Sequence, residues 1–497
     1  MSRDSFREGR SSAVTGEMTL AAAPPLAARR RTFLAQALAA AGMVSFAPVS
    51  ALSPPMLLVA NVTGLYSVEV ARVETPRSTG DVVAAVRAWP GQVAVGGGRY
   101  SMGGQVAVRG GLHLDMRTLA GLVWLRPEDR RVRVQAGMRW RDLQDHIDPL
   151  GLAVRTMQSY SNFTIGGSVS VNGHGRYVNH GPIGHTVRAL QLVLADGTVV
   201  EATPREHAPL FRAAIGGYGA IGVITEVELE LSENVPIERV VEAIPLAGYV
   251  EHFQARIAAD PAAVLHNANL LPPAFDAPVA VTWRRAGAGT ALTDTQRLIP
   301  RGRRYAKEQD VIWALTELPG GNEGRKAVER LQLKGPAVQW LNHEASLDVA
   351  SLEPRTREFS TYVLQEYFIP PRHFEAFARG MGQVLRAHRV LALNISLRHS
   401  PADTVSLLPW AREEVFCFVL YFKQRVRVTA QEEVAVWTRE LVDLALKHEG
   451  RYYLPYQLHA TREQFGAAYP EIARLRDLKR EVDPGGKFAN ELWRKYL

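Results

Sequence analysis

Apolar and polar positions alternate with a period of two over residues 224–231, the pattern of a half-buried strand, and the mostly apolar run 189–194 reads as a strand as well. Shorter runs at 68–72, 92–95, 112–115, 122–125 and 131–136 read as further strands. Amphipathic helices over 79–88 and 139–147 separate them. Ser78 and Thr79 stand before Asp81 as a helix start requires, so the first helix carries its own capping residues. A third helix is expected over 207–215. Beyond Leu231 the elements lengthen, with strands over 359–368 and 414–422 and helices over 371–388 and 431–449. Surface loops are expected over 287–304 and 319–325. Hairpin-like strands interleaved with helices predict an α+β fold, without internal repeats.

Glycines interrupt this pattern in three places. Residues 93–105 read VAVGGGRYSMGGQ and residues 163–175 read FTIGGSVSVNGHG. Lacking a Cβ, such loops can lay backbone N–H groups against a large anionic ligand. The third cluster, Gly217-Tyr218-Gly219-Ala220-Ile221-Gly222, fits the dinucleotide pattern G-x-G-x-x-G. That pattern seats a pyrophosphate on the N-terminus of a following helix. Here a strand follows, which excludes a Rossmann NAD site.

At 497 residues the chain exceeds one simple core, and two domains are expected. A hydrophobic content of 46% with 22% charged residues excludes a disordered chain. The net charge of +8 is modest for this length, and no basic helix is interleaved with aromatics, which argues against nucleic acid. Arg284-Arg285 and residues 301–304 read as solvated arginines, with phosphates, sugars or a peripheral membrane contact as alternatives. Cys417 is the single cysteine, so no disulfide framework and no zinc or iron–sulfur centre is expected.

Arg29-Arg30-Arg31-Thr32-Phe33-Leu34 opens a short Ala-rich apolar run that reaches Val49-Ser50-Ala51, small residues suited to a signal peptidase. Residues 1–51 read as a twin-arginine-type export signal to the periplasm, too weak for a membrane-spanning helix; left uncleaved, it would keep the protein at the membrane. A disordered arginine-rich leader is the alternative, and Met18 is an alternative start.

The first two glycine loops, about 70 residues apart, resemble those of flavoenzymes built like vanillyl-alcohol oxidase. The resemblance runs from about Val62 to the C-terminal KREVDPGGKFANELWRKYL and is nearest to the aldonolactone and alditol oxidases and the decaprenylphosphoryl-ribose oxidases. It implies a two-subdomain PCMH-type FAD-binding domain over 62–232. It also implies an α+β substrate-binding domain over 233–450, whose antiparallel sheet covers the flavin, and a segment 451–497 that returns to the FAD domain. By the same resemblance, Gly96, Gly97, Gly98, Arg99, Tyr100, Ser101, Gly104 and Gln105 embrace the FAD pyrophosphate, with Arg99 offsetting its charge. Gly166, Gly167, Ser168, Ser170, Asn172, Gly173, His174 and Gly175 run along the ribityl chain and isoalloxazine. Gly217, Gly219, Gly222 and Ile224 complete the set.

Several positions depart from the family pattern. Many relatives link the flavin 8α-methyl group to a histidine in G-x-H-S, where this chain reads Gly98-Arg99-Tyr100-Ser101. A phenol with a pKa of about 10 is a poor nucleophile, so dissociable FAD is expected. His174 is expected to position the cofactor or polarise a hydroxyl, or simply to pack. Gly173 stands where a side chain in lactone-oxidising relatives controls dioxygen access, and glycine there points to an oxidase. Glu366 and Arg398 are read on neighbouring strands, where they would pair and hold vicinal hydroxyls, or form a structural salt bridge. Relatives carry a lysine where this chain has Tyr456. Either Tyr456 or His459 is expected to take the hydroxyl proton, histidine being the easier base.

The resemblance therefore implies an FAD-dependent oxidoreductase that removes hydride from a CH–OH group of a sugar, polyol, aldonolactone or related small alcohol. Dioxygen or a quinone-type acceptor would reoxidise the flavin. The alternatives are a dehydrogenase of a lipid-linked sugar or a cytokinin-like aromatic, and a flavin carrier without turnover. The exact substrate, the acceptor and the oligomeric state stay open.

Overall fold

The structure, a computed structural model, describes residues 57–318 and 337–497 together with Gly321, Gly324, Leu333 and Gly335. The arginine leader with its export reading lies outside the described residues, as does most of the loop expected over 319–325. Helix Thr79–Ala88 begins at a reciprocal capping box. Ser78 Oγ accepts from the Asp81 N–H at 3.1 Å, and the Asp81 carboxylate accepts from the Ser78 N–H at 3.1 Å. Its buried Val82, Ala85 and Val86 pack on a three-stranded sheet of Arg72–Glu74, Leu112–Asp115 and Val93–Gly96. These strands run parallel rather than as the expected hairpins, because the helix supplies the crossover that parallel pairing needs.

A six-stranded antiparallel sheet follows, in the order Val199–Ala202, Val187–Val193, Val223–Glu233, Arg131–Gln135, Leu122–Arg126, with Leu152–Val154 on the end of the long strand. The strand Val223–Glu233 directly after Gly222 bears out the rejection of a dinucleotide helix. Helices Trp140–Ile147 and Ala208–Ala214 complete this half.

The later part of the chain builds an eight-stranded sheet. Its order is Val338–Trp340, Pro236–Ala243, Val279–Arg285, Ala263–Leu270, Ala392–Ser400, Val415–Arg425, Ser360–Ile369, Arg451–Tyr452. On one face Ala268, Leu270, Val363, Tyr367, Ile395, Leu397, Phe418 and Leu420 pack under helices Phe374–Ala387 and Val428–Lys447. The opposite face presents Asn267, Asn269, Glu366, Asn394, Ser396 and Arg398 to a cavity. Strand Val415–Arg425 is buried at every residue but its last, which explains its unbroken apolar run VFCFVLYF. The chain then hydrogen-bonds back to its start. Val93 N–H donates to Lys487 O at 2.7 Å, Lys479 Nζ to Ala220 O at 2.7 Å, and Trp493 Nε1 to Gly217 O at 3.0 Å.

The arginine clusters meet local carboxylates, Arg284 with Asp260 at 3.0 Å, Arg301 with Asp142 at 2.7 Å and Arg303 with Glu308 at 3.0 Å. Among the described residues no helix is long and apolar enough to cross a membrane.

Burial holds three histidines neutral, pushing His266 down to about 3 and His113 and His459 down to about 4. His266 lies between Tyr249 Oη at 2.8 Å and Thr282 Oγ1 at 2.9 Å. Unfolded, each titrates near about 6.5, so between the two values the unfolded chain binds more protons. Stability should be full above that pH and fall as pH drops towards 4, by up to about 1.4 kcal/mol per pH unit per histidine. Thermal unfolding between pH 7 and pH 4 checks this, with a shallower fall for His266→Gln. An unfolding temperature that stays constant over that range contradicts it.

Candidate active site

Two adjoining cavities lie where the glycine loops meet the polar face of the eight-stranded sheet. The narrow one, about 80 Å³, is walled by Gly97, Ser101, Gly166, Gly167, Ser170, Gly219, Gly222 and Ile224. The wide one, about 420 Å³, has Gly97, Gly98, Arg99, Tyr100, Ser101, Gly167, Ser168, Gly173 and His174 on one side, with Glu366, Arg398 and Tyr456 on the other. Gly97, Ser101 and Gly167 line both. Close approach demands glycine here: a Cβ on Gly97 would lie 2.1 Å from Thr164 Oγ1, and one on Gly166 would lie 2.5 Å from Ala136 Cβ.

Other residues expected at the cofactor line neither cavity and are packed closely by the framework. A Cβ on Gly96 would strike His113 at 2.4 Å, one on Gly175 Met157 O at 2.0 Å, and one on Gly217 Ala213 O at 1.8 Å. Gly104, at φ +83, packs against Glu491. Asn172 is buried, its amide donating to Asp403 at 2.9 Å and accepting from Gly184 N–H at 3.0 Å. None of these five is among the residues lining the cavities.

Gln105 lines the narrow cavity, but its amide is occupied. It accepts from Gly103 N–H at 2.7 Å and donates to Leu454 O and Tyr456 O at 2.7 and 2.8 Å, tying the first loop to the C-terminal segment. Arg99 is held by Asp115 at 2.9 Å, a carboxylate it shares with Arg117. Gly173 does not leave the passage expected of it. A Cβ there would lie 2.5 Å from Gln158 Nε2 and 3.2 Å from Ile183 Cδ1, so neighbouring side chains already fill that room.

Glu366 lies buried on strand Ser360–Ile369. Its Oε1 is 2.5 Å from His174 Nε2, and its Oε2 accepts from the Tyr456 hydroxyl at 3.1 Å. Rings of Phe368, Trp410 and Tyr453 surround His174, whose Nδ1 is buried without a partner. Burial, then the Glu366 charge, push the Tyr456 phenol well above its usual range, so it stays a donor and is no base. His459 is no better a base. It lines neither cavity and hydrogen-bonds Gln457 Oε1 at 3.0 Å, and burial with Lys495 nearby depresses its pKa. Cys417, close to His174 and Glu366, is kept a thiol by burial.

The expected Glu366–Arg398 pair does not form. Strand Val415–Arg425 runs between their strands, with Glu366 opposite Val419 and Arg398 opposite Cys417, two residues out of line. Sequence reasoning also missed Gln158, Tyr160, Arg176, Asn267, Asn269, Asn394, Ser396, Tyr421 and Tyr453, all lining the wide cavity. The signal was the alternation of Asn269 with Ala268 and Leu270, and of Asn394 and Ser396 with Ile395 and Leu397. It marks a polar face inside a buried sheet.

Residues 70–203 match the family model described as an FAD binding domain. The chain carries a PCMH-type FAD-binding domain. It is 26% identical to the alditol oxidase of a Streptomyces species over 86% of this chain and 95% of that one. It is 33% identical to the L-gulonolactone oxidase of Mus musculus over 31% of this chain and 36% of that one. Cytokinin dehydrogenase 3 of Oryza sativa subsp. japonica is 32% identical over 33% of each.

The cleft of the flavoprotein fits that cofactor. Glycine backbone walls the narrow cavity, as a diphosphate chain requires. The wide cavity has room for a fused ring system, and His174 is part of its wall. Tyr100 lines it with its ring edge-on to Phe163 at 4.6 Å, and burial pushes its phenol up to about 12. A neutral phenol will not attack the flavin, so acid precipitation should release all yellow colour into the supernatant. Flavin fluorescence left on the denatured polypeptide contradicts this.

Proposed function

We propose that this flavoprotein oxidises a CH–OH group of a sugar, polyol, aldonolactone or related alcohol, with dioxygen as electron acceptor. The observation that carries the reading is the buried His174–Glu366–Tyr456 cluster facing the wide cavity, with His174 Nδ1 left unpartnered. The relatives named alditol oxidase and L-gulonolactone oxidase support the substrate class. Bound FAD supplies the two-electron acceptor, which dioxygen regenerates while becoming hydrogen peroxide.

The residues of the chain handle the proton and the orientation. With its Nε2–H donated to Glu366, His174 keeps Nδ1 as the free ring acceptor, and a small shift of the enclosing rings on substrate binding would bring the hydroxyl proton to it; the tautomer follows from the hydrogen bonds. Glu366 fixes the ring and stabilises the imidazolium that forms. Tyr456 holds the second carboxylate oxygen, so the pair cannot rotate away. Asn267, Asn394 and Ser396 offer neutral donors and acceptors to the remaining hydroxyls.

Glu366→Gln and His174→Asn should each slow anaerobic flavin bleaching by alcohol substrate roughly 30- to 1000-fold, about 2–4 kcal/mol, while FAD content is kept. Stopped-flow absorbance measures the rate, and bleaching at the wild-type rate in both variants overturns the assignment. The filled space beside Gly173 favours a second reading, a dehydrogenase with another acceptor. Readmitting air decides: prompt return of the yellow colour supports the oxidase, and bleached flavin that persists supports the dehydrogenase.

We also propose export by the twin-arginine route, on the sequence of residues 29–34. Lysines at Arg30 and Arg31 should trap folded, flavin-loaded precursor in the cytoplasm, and normal periplasmic yield would refute it.

A further inference from the structure

Arg398 differs from the other cations of the wide cavity. Arg99 is held by Asp115 at 2.9 Å and Arg176 by Glu344 at 2.8 Å. Arg398, like Arg99, has a buried, unpartnered Nε, but among the described residues no carboxylate oxygen lies within 4.0 Å of its guanidinium. Glu366 is taken by His174 and Tyr456. It also sits two strands away, on the order of 10 Å across the sheet. A guanidinium in a partly closed cavity without a counter-ion is unfavourable until a ligand brings negative charge.

Between the two ends of the cavity the lining is neutral and polar. Ser396 shares a rung with Val419 and Glu366, and Asn394 and Asn267 flank it on the same face. Such groups recognise hydroxyls without contributing charge. One guanidinium fork matches one carboxylate in two parallel hydrogen bonds. A phosphate dianion would call for a second free cation, and Arg176 is already neutralised by Glu344.

We propose that the substrate is a hydroxylated carboxylate, a sugar acid of the aldonate type, whose carboxylate pairs with Arg398 while its reacting carbinol lies at His174. The position of the carbinol rests on the proposed oxidation at His174; the carboxylate site rests on Arg398 itself.

The test uses FAD-loaded protein under anaerobic conditions and three matched pairs of probes: glycerol and glycerate, xylitol and xylonate, sorbitol and gluconate. Gluconate 6-phosphate is added as the phosphate arm. Perturbation of the oxidised flavin spectrum reads binding, and bleaching reads turnover. At least one acid should bind about tenfold or more tighter than its polyol. Arg398→Gln should bring that ratio to within about twofold, while Arg398→Lys, which keeps the charge but not the fork, should keep only part of it. No acid preference in any pair, a preference untouched by Arg398→Gln, or tighter binding of the phosphate ester overturns the inference. Polyols that bleach the flavin without any acid preference leave the oxidation reading intact while this inference falls. Acids that bind with the preference, when no alcohol bleaches the flavin, leave the carboxylate site standing while the oxidation reading falls.

Discussion

The buried carboxylate of Glu366 is the constraint on which the site is built. Removing a charged carboxylate from water without partners costs several kcal/mol, so both of its oxygens must be met for the fold to close. One is met by His174 from the second glycine loop, and the other by Tyr456 from the C-terminal segment. Gln105 then ties the backbone of that segment, at Leu454 and Tyr456, to the first glycine loop. Sheet, cofactor loops and C-terminal return are thus brought to register by one acid and one amide. The rings of Phe368, Trp410 and Tyr453 around His174 keep water away, which strengthens the His174–Glu366 interaction.

What could be read in the chain was what is local. The capping box at Ser78 and Asp81, strand Leu112–Asp115 and helix Trp140–Ile147 all follow from a few adjacent residues. Strand order is not local. Glu366 and Arg398 look like partners along the sequence, yet strand Val415–Arg425 separates them. His459, three residues after Tyr456 in a loop, points elsewhere because no helix repeat ties the two directions together.

Glycine was only half informative for a similar reason. Gly97 and Gly167 line the cavities and also leave room for Thr164, whereas Gly96, Gly175 and Gly217 line neither cavity and make room only for the protein's own atoms. A missing Cβ says that something comes close, not whether it is ligand or chain. At Gly173 the neighbour is Gln158, whose Oε1 accepts from Trp140 Nε1 at 3.0 Å, so the residue tunes packing at the cavity wall. The same limit applies to polarity. Asn267, Asn394 and Ser396 acquire meaning only once their strands are placed side by side.

That His174 and Glu366 act as one unit is the central claim, and a double-mutant cycle on the anaerobic rate of flavin bleaching tests it most directly. Residues that share one function show strongly non-additive losses. The variant carrying both Glu366→Gln and His174→Asn should be within about threefold of the slower single variant. Losses that multiply would mean that the two side chains act independently, and would contradict the account.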